Sequence, residues 1–179
     1  RKSNLIELSG RTMGILGFGR IGNKVSRIAQ VFGMQVIAHT RTPKDTEGVA
    51  FVDREKLFSE SDVLSLHCPL TPETEKVVCA HNLSGMKETA FLINTGRGGL
   101  VCEQDLAQAL DRKQIAGAGL DVLSSEPPDS DNPLLHAANC VITPHIGWST
   151  SASRKRLMKT AAKNLACFLS GAPENVVSQ

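Results

Sequence analysis

Three polar residues are of the types, and in the settings, that carry chemistry. Arg97 lies in Asn94-Thr95-Gly96-Arg97-Gly98-Gly99, with glycines on both sides. Glycine permits backbone conformations and close approaches that other residues resist, and a guanidinium offers a planar, bidentate fork to a carboxylate. His145, in Thr143-Pro144-His145-Ile146-Gly147-Trp148, follows an apolar run and is held by a proline. Histidine is the side chain whose proton moves near neutral pH. It needs an acidic partner, and Glu126 in Ser125-Glu126-Pro127-Pro128 is a candidate. A carboxylate beside an imidazole favours the charged form, which keeps a proton available to a carbonyl oxygen. The competing readings are structural: an arginine that ties down its own loop, a solvated glutamate, a packed histidine. For Arg97 the functional reading leads, because so little bulk around one arginine is unusual for a structural ion pair.

These residues must be positioned by something, and the glycine-rich stretch Ile15-Leu16-Gly17-Phe18-Gly19-Arg20-Ile21-Gly22 is the organising element. An apolar run over residues 12–16 reads as a buried strand. Val25, Ile28, Ala29 and Phe32 have the spacing of a helix stripe. Glycines at such a strand-to-helix turn form a dinucleotide fingerprint. Gly17 makes the tight turn, Gly19 lets a pyrophosphate approach the backbone, and Gly22 lets the helix pack on the strand. The phosphates then face the free N–H groups at the start of that helix, among them those of Arg20 and Ile21.

Further strands are predicted at residues 35–39, 63–66, 90–93, 116–120 and 141–143. A short helix over 53–59 has Asp53 as N-cap. Thr71-Pro72-Glu73-Thr74 has the cap-then-proline form of a helix start, and residues 103–110 read as a helix. A last helix over 150–169 places Leu157, Ala161, Leu165 and Phe168 on one face, with Arg154, Lys155, Lys159 and Lys163 mostly off it. Residues 173–177 read as an extended tail. Strands alternating with helices predict an α/β fold, a doubly wound parallel sheet of Rossmann type with six or more strands.

Just beyond the carboxyl ends of these strands lie Gly17, Thr40, His67, Thr95 with Arg97, Asp121 and His145. Ligands bind at that edge of an open parallel sheet. The usual strand order would set the strand at residue 12 beside the strand at residue 90, so that the Gly17 turn and the Arg97 loop flank one crevice. Asp121 either accepts a hydrogen bond from a cofactor amide or caps the following turn, and physics leaves the two even. The other histidines have no assembled partners, and no His/Cys spacing suggests a metal site. There is no serine nucleophile in a G-x-S-x-G turn.

Composition agrees with such a domain. The 179 residues carry a net charge of +2, which gives no reason to expect a nucleic-acid or membrane partner. No apolar run is long enough to span a bilayer. Five cysteines, an odd number with no C-x-x-C pair, argue for packing roles and a reducing cytoplasm rather than a disulfide framework. The chain begins at Arg1 with its first strand almost at once, as a piece of a longer protein would.

Taken together, six motifs are recognisable: Leu8-Ser9-Gly10 with residues 12–22, His67-Cys68-Pro69-Leu70-Thr71-Pro72-Glu73-Thr74, Asn94-Thr95-Gly96-Arg97-Gly98, Gly119-Leu120-Asp121-Val122, Glu126-Pro127-Pro128 and Thr143-Pro144-His145-Ile146-Gly147. In this order they resemble the nucleotide-binding domain of the D-isomer-specific 2-hydroxyacid dehydrogenases. The resemblance implies that Arg97 binds the substrate's carboxylate and carbonyl, that His145 is the acid/base, and that Glu126 orients it. Asp121 would help to place the nicotinamide carboxamide. Cys68, Pro69, Thr74 and Thr95 would join the glycines in holding the cofactor. The implied reaction is hydride transfer between nicotinamide C4 and the C2 of a 2-keto or 2-hydroxy acid, the cofactor carrying the hydride chemistry. Trp148 after the histidine is more like the hydroxypyruvate/glyoxylate reductase and glycerate dehydrogenase branch. A homodimer is also implied. Corepressors of the same superfamily keep a similar fold and triad, so a nicotinamide-regulated binding protein is the alternative.

Two departures from the family pattern stand out. NAD enzymes of the family usually carry an acidic residue after the second strand, where this chain has Thr40, followed by Arg41-Thr42-Pro43-Lys44. Losing that carboxylate removes its repulsion against a 2′-phosphate, and Arg41 can pair with it, so NADP(H) is expected over NAD(H); the competing reading is a solvated Arg41 with NAD(H) still bound. The resemblance also implies a substrate lobe whose larger part lies before this domain, and the few residues ahead of Leu5 are not expected to supply it. Residues 1–149 are then the dinucleotide-binding domain, and 150–179 a helix and tail returning toward that lobe.

Overall fold

The computed structural model describes residues 6–177. Two compact units divide the chain, Arg1–Pro144 and His145–Gln179. The first is built on seven strands: β1 (Thr12–Leu16), β2 (Gln35–His39), β3 (Val49–Phe51), β4 (Val63–Leu66), β5 (Phe91–Asn94), β6 (Gly117–Leu120) and β7 (Cys140–Ile142). The helices between them are α1 (Arg20–Val31), α2 (Arg54–Glu60), α3 (Ala80–Ser84) and α4 (Glu103–Asp111). Every strand pairing is parallel, in the order β3-β2-β1-β4-β5-β6-β7.

The strands read as near-continuous apolar runs because both faces of a parallel sheet are covered. Adjacent residues of β1 show this: Ile15 joins Ala29, Met34, Val36 and Ala38 in one buried cluster, whereas Leu16 joins Ile37, Leu57, Leu64, Leu66, Leu92 and Leu106 in another. Alternating side chains of one strand thus feed two cores. Asp53 caps α2, its carboxylate accepting the Lys56 N–H at 2.7 Å, as its position before the helix predicts.

The structure adds to the expectations once and corrects them twice. First, Val49–Phe51 is a strand that was not anticipated; three residues on a sheet edge are too short a run to stand out in the sequence. Second, no helix starts at Thr71. The Thr74 and Glu75 amides both donate to Thr71 O, at 3.0 and 2.8 Å, but Lys76 takes a positive φ of 50° and ends the turn. The chain then passes along Val101 through a bridge at Val78 before α3 begins. Third, β1 lies beside β4 rather than beside β5, so the neighbour of the Gly17 turn is the His67-Cys68 turn.

In the second unit Thr150 caps α5 (Ser151–Leu169), accepting the Ser153 N–H at 3.2 Å. The face bearing Leu157, Leu165 and Phe168 is exposed. Residues 173–177 have no regular structure, yet they are not simply extended. Glu174 pairs with Lys163 at 2.6 Å, and Asn175 donates to Asn164 at 2.9 Å. The Arg154 guanidinium sits 5.9 Å from the Trp148 ring, a cation–π contact.

Candidate active site

With every strand parallel, the carboxyl ends share one edge, and single hydrogen bonds carry the ladder just past them. Gly17 N–H donates to His39 O at 2.8 Å, His67 N–H to Leu16 O at 2.7 Å, Asp121 N–H to Asn94 O at 2.9 Å, and Thr143 N–H to Leu120 O at 2.9 Å. The residues that follow are therefore set out from a rigid row.

At the β1 end the three glycines do three different things. Gly17 has φ +93°, and a Cβ there would lie 2.4 Å from Cys68 N, so it serves both the turn and the close approach of the next loop. A Cβ on Gly22 would lie 2.4 Å from Gly17 O, so its absence seats α1 against the turn. Gly19 faces open space, with no atom within 4 Å of such a Cβ. Gly19 is also the N-cap of α1, and no side chain caps that helix. The first-turn N–H groups, on Arg20, Ile21 and Gly22, are left for an anion.

A cleft of about 460 Å³ opens over this turn and is lined by Gly17, Gly19, Thr40, Arg41, Cys68, Pro69 and Thr74. All seven are among the cofactor residues read from the sequence. His67, placed at this edge from the sequence, lines it too, as do Phe18, Thr42, Arg54 and Glu73, which were not read as cofactor residues. Phe18 packs edge-on against Phe51, centroids 5.2 Å apart, which fastens the fingerprint turn to β3. The Thr74 hydroxyl is committed to its own loop, donating to Pro69 O at 2.7 Å and accepting the Thr71 N–H at 2.8 Å. Glu73 is held below the usual carboxylate range by the Thr71 hydroxyl, its own backbone and the Arg41 charge. Burial pushes the His67 imidazole down and the Cys68 thiol up; Ser65 Oγ lies 2.9 Å from His67 Nε2.

Two strands over, the Arg97 loop is stapled by Asn94, a buried residue the sequence did not single out beyond its motif. Its Nδ2 donates to Arg97 O at 2.9 Å, and its Oδ1 accepts the Gly96 N–H at 3.0 Å. Arg97 is exposed, with Nη1 donating to Gly96 O at 2.8 Å. The glycines beside it are explained differently from the expectation that a ligand comes close to them. A Cβ on Gly98 would fall 2.0 Å from the carbonyl carbon of Leu123, and one on Gly99 would fall 2.9 Å from Leu70. Gly98 therefore lets the Arg97 loop abut the loop that carries Glu126. Thr95 is exposed at the same edge.

Asp121 is buried, and its Oδ1 accepts from the Thr143 hydroxyl at 2.5 Å, so the residue just after β7 fixes its orientation. Glu126 is exposed, and its Oε1 accepts the Leu123 N–H at 3.2 Å. His145 opens the second unit with φ +52°, a left-handed conformation uncommon for a residue with a side chain. Among the described residues no group of His, Cys, Asp or Glu side chains is placed to hold a metal ion, and no helix is long and apolar enough to cross a membrane.

Space and donors fit a dinucleotide: Gly19 is open, the helix start is uncapped, and a cleft runs to the ends of β1, β2 and β4. Fold and cleft together define a dinucleotide-binding domain of the doubly wound class. Residues 1–147 match the family described as D-isomer specific 2-hydroxyacid dehydrogenase, NAD binding domain. A hydroxypyruvate reductase from Blautia hydrogenotrophica is 51% identical over 178 residues, covering 98% of this chain and 55% of that protein. The structure of an acyclic imino acid reductase (Bsp5) with NADPH and D-Arg superposes with a TM-score of 0.89 at 37% identity, over 97% of this chain and 55% of that one. The NAD-complexed D-isomer specific 2-hydroxyacid dehydrogenase of Lactobacillus delbrueckii ssp. bulgaricus gives 0.90 at 32% identity, over 97% and 58%. This chain belongs to the D-isomer specific 2-hydroxyacid dehydrogenase family and is its nicotinamide-dinucleotide-binding domain. It spans about half the length of the curated relatives it matches.

Proposed function

We propose that the whole protein is a 2-keto acid reductase acting on hydroxypyruvate, glyoxylate or a similar short acid, and that it prefers NADPH. The observation that carries this reading is the abutment of the Arg97 and Glu126 loops through Gly98 and Leu123, at the ligand-binding edge of a dinucleotide domain.

When bound, the nicotinamide supplies the hydride. Arg97 holds the substrate carboxylate through its two-pronged guanidinium. His145 gives a proton to the carbonyl oxygen as it becomes an alcohol, and Glu126 orients that imidazole and favours its protonated form. Asp121, fixed by Thr143, receives the carboxamide. The cofactor preference is supported by Thr40, Arg41 and Thr42 on the cleft wall: the segment after β2 brings no carboxylate to repel a 2′-phosphate, and Arg41 brings a cation to pair with it. A homodimer in the cytoplasm belongs to the same reading, by family resemblance.

The test uses the full-length protein, following loss of reduced nicotinamide absorbance with hydroxypyruvate and glyoxylate, NADPH and NADH in parallel. Faster loss with NADPH supports both parts. Faster loss with NADH keeps the reductase and discards the cofactor preference. No loss with either turns the reading toward a nicotinamide-regulated binding protein.

A further inference from the structure

Glu103, in the first turn of α4, makes two hydrogen bonds that no step above uses. Its Oε1 accepts the backbone N–H of Ser124 at 2.7 Å, and its Oε2 accepts the side-chain amide of Asn132 at 2.8 Å. Asn132 is buried, and its Oδ1 in turn accepts the Leu134 N–H at 3.0 Å. One carboxylate thus grips the segment between β6 and β7 at two points, Ser124 and Asn132, with Glu126 between them. Bonds to an ionised acceptor are about twice as strong as neutral ones.

The grip falls at a specific place. Two consecutive amides face two different carboxylates: Leu123 N–H donates to Glu126 and Ser124 N–H to Glu103. The same two residues are where Gly98 comes into backbone contact. From Arg97 the chain runs through a 3-10 turn, Gly98–Leu100, and reaches α4 at Glu103. One short, rigid segment therefore carries both the arginine and the carboxylate that seats the Glu126 loop. We propose that Glu103 is a positioning residue for the reaction: it fixes the Glu126 carboxylate relative to Arg97 and acts through Glu126 on the proton-donating histidine. This inference rests on the reading of Glu126 and His145 given above.

The experiment compares four forms of the full-length protein: wild type, Glu103→Gln, Glu103→Gln with Asn132→Asp, and Glu126→Gln. For each, the pH profile of kcat with hydroxypyruvate, KM, NADPH affinity and melting temperature are measured. Glu103→Gln retains one oxygen for Ser124 but sets two amide NH₂ groups against each other at Asn132. Its kcat should fall roughly tenfold to a hundredfold, and the basic limb of its profile should move to lower pH. KM and NADPH affinity should stay within about twofold of wild type, since neither ligand loses a contact. The double variant restores the lost bond with donor and acceptor exchanged, and should recover the wild-type profile. If Glu126→Gln moves the limb but Glu103→Gln does not, or the double variant recovers melting temperature without the profile, Glu103 is only a structural clamp and the proposal is overturned. If Glu126→Gln itself leaves the profile unmoved, the reading of Glu126 fails first and takes the proposal with it.

Discussion

The α-carbon of Gly98 and the carbonyl carbon of Leu123 are so close that a methyl group on the glycine would sit 2.0 Å from that carbon. Gly98→Ala must push the two loops apart, and forced overpacking costs about 1–3 kcal/mol. We expect a melting temperature several degrees lower and a larger loss of kcat/KM than of cofactor affinity. Gly19→Ala is the control. Its side chain enters open space at φ −86°, so the fold should melt normally while dinucleotide affinity drops. Thermal melts with nicotinamide fluorescence titrations check both.

The proposed NADPH preference rests on Arg41 and Thr40. Loss of a charge-assisted bond to a 2′-phosphate costs about 1.5–3 kcal/mol. Arg41→Ala should thus lower the NADPH-to-NADH affinity ratio by roughly ten- to a hundredfold, and Thr40→Asp should reverse the preference. An unchanged ratio in Arg41→Ala would dispose of the 2′-phosphate argument.

For Arg97 the discriminating substitution is lysine. An ammonium keeps the charge but not the planar fork, so Arg97→Lys, like Arg97→Ala, should lose most of kcat/KM with cofactor titrations unchanged. Full activity in Arg97→Lys would mean that charge alone suffices at this position.

Asp62 governs stability from the opposite edge of the sheet. Burial alone would raise its pKa from the ordinary 3.8, but the Thr12 N–H bond and the Lys87 and Arg11 charges outweigh burial and lower it. The Thr12 bond is 2.8 Å and Lys87 lies 3.0 Å away. A carboxyl whose folded pKa is depressed stabilises the fold fully above its unfolded value and loses that contribution as pH falls through the folded value. Denaturant midpoints should therefore drop below pH 3.8 in wild type, and less steeply in Asp62→Asn, which should be less stable at pH 7.

Much of this was legible in the residues because local pattern and global fold agree. The apolar runs, the glycine turn and the Asp53 cap each announce one element, and a parallel sheet sends every strand's end to one edge. What stayed hidden depends on contacts distant in sequence. Val49–Phe51 is a strand only because β2 offers an edge to pair with. Gly98 is a glycine because Leu123 passes over it, which nothing in the Arg97 motif reveals. Glu103 looks like any acidic residue in a first helical turn; its partners lie 21 and 29 residues away. The turn at Thr71 misled because a proline after a threonine begins a single turn as readily as a helix.

The ladder at the β2 end closes with Gly17 N–H on His39 O, and its last side-chain tie there is His39 Nδ1, 3.0 Å from Val52 O. The next residues, Thr40, Arg41 and Thr42, bear on the cleft from beyond that seam. On the proposed reading, foldability and coenzyme taste are thus written on different letters of the chain. A lineage would then exchange one nicotinamide currency for the other by rewriting three letters, leaving the scaffold's inheritance untouched.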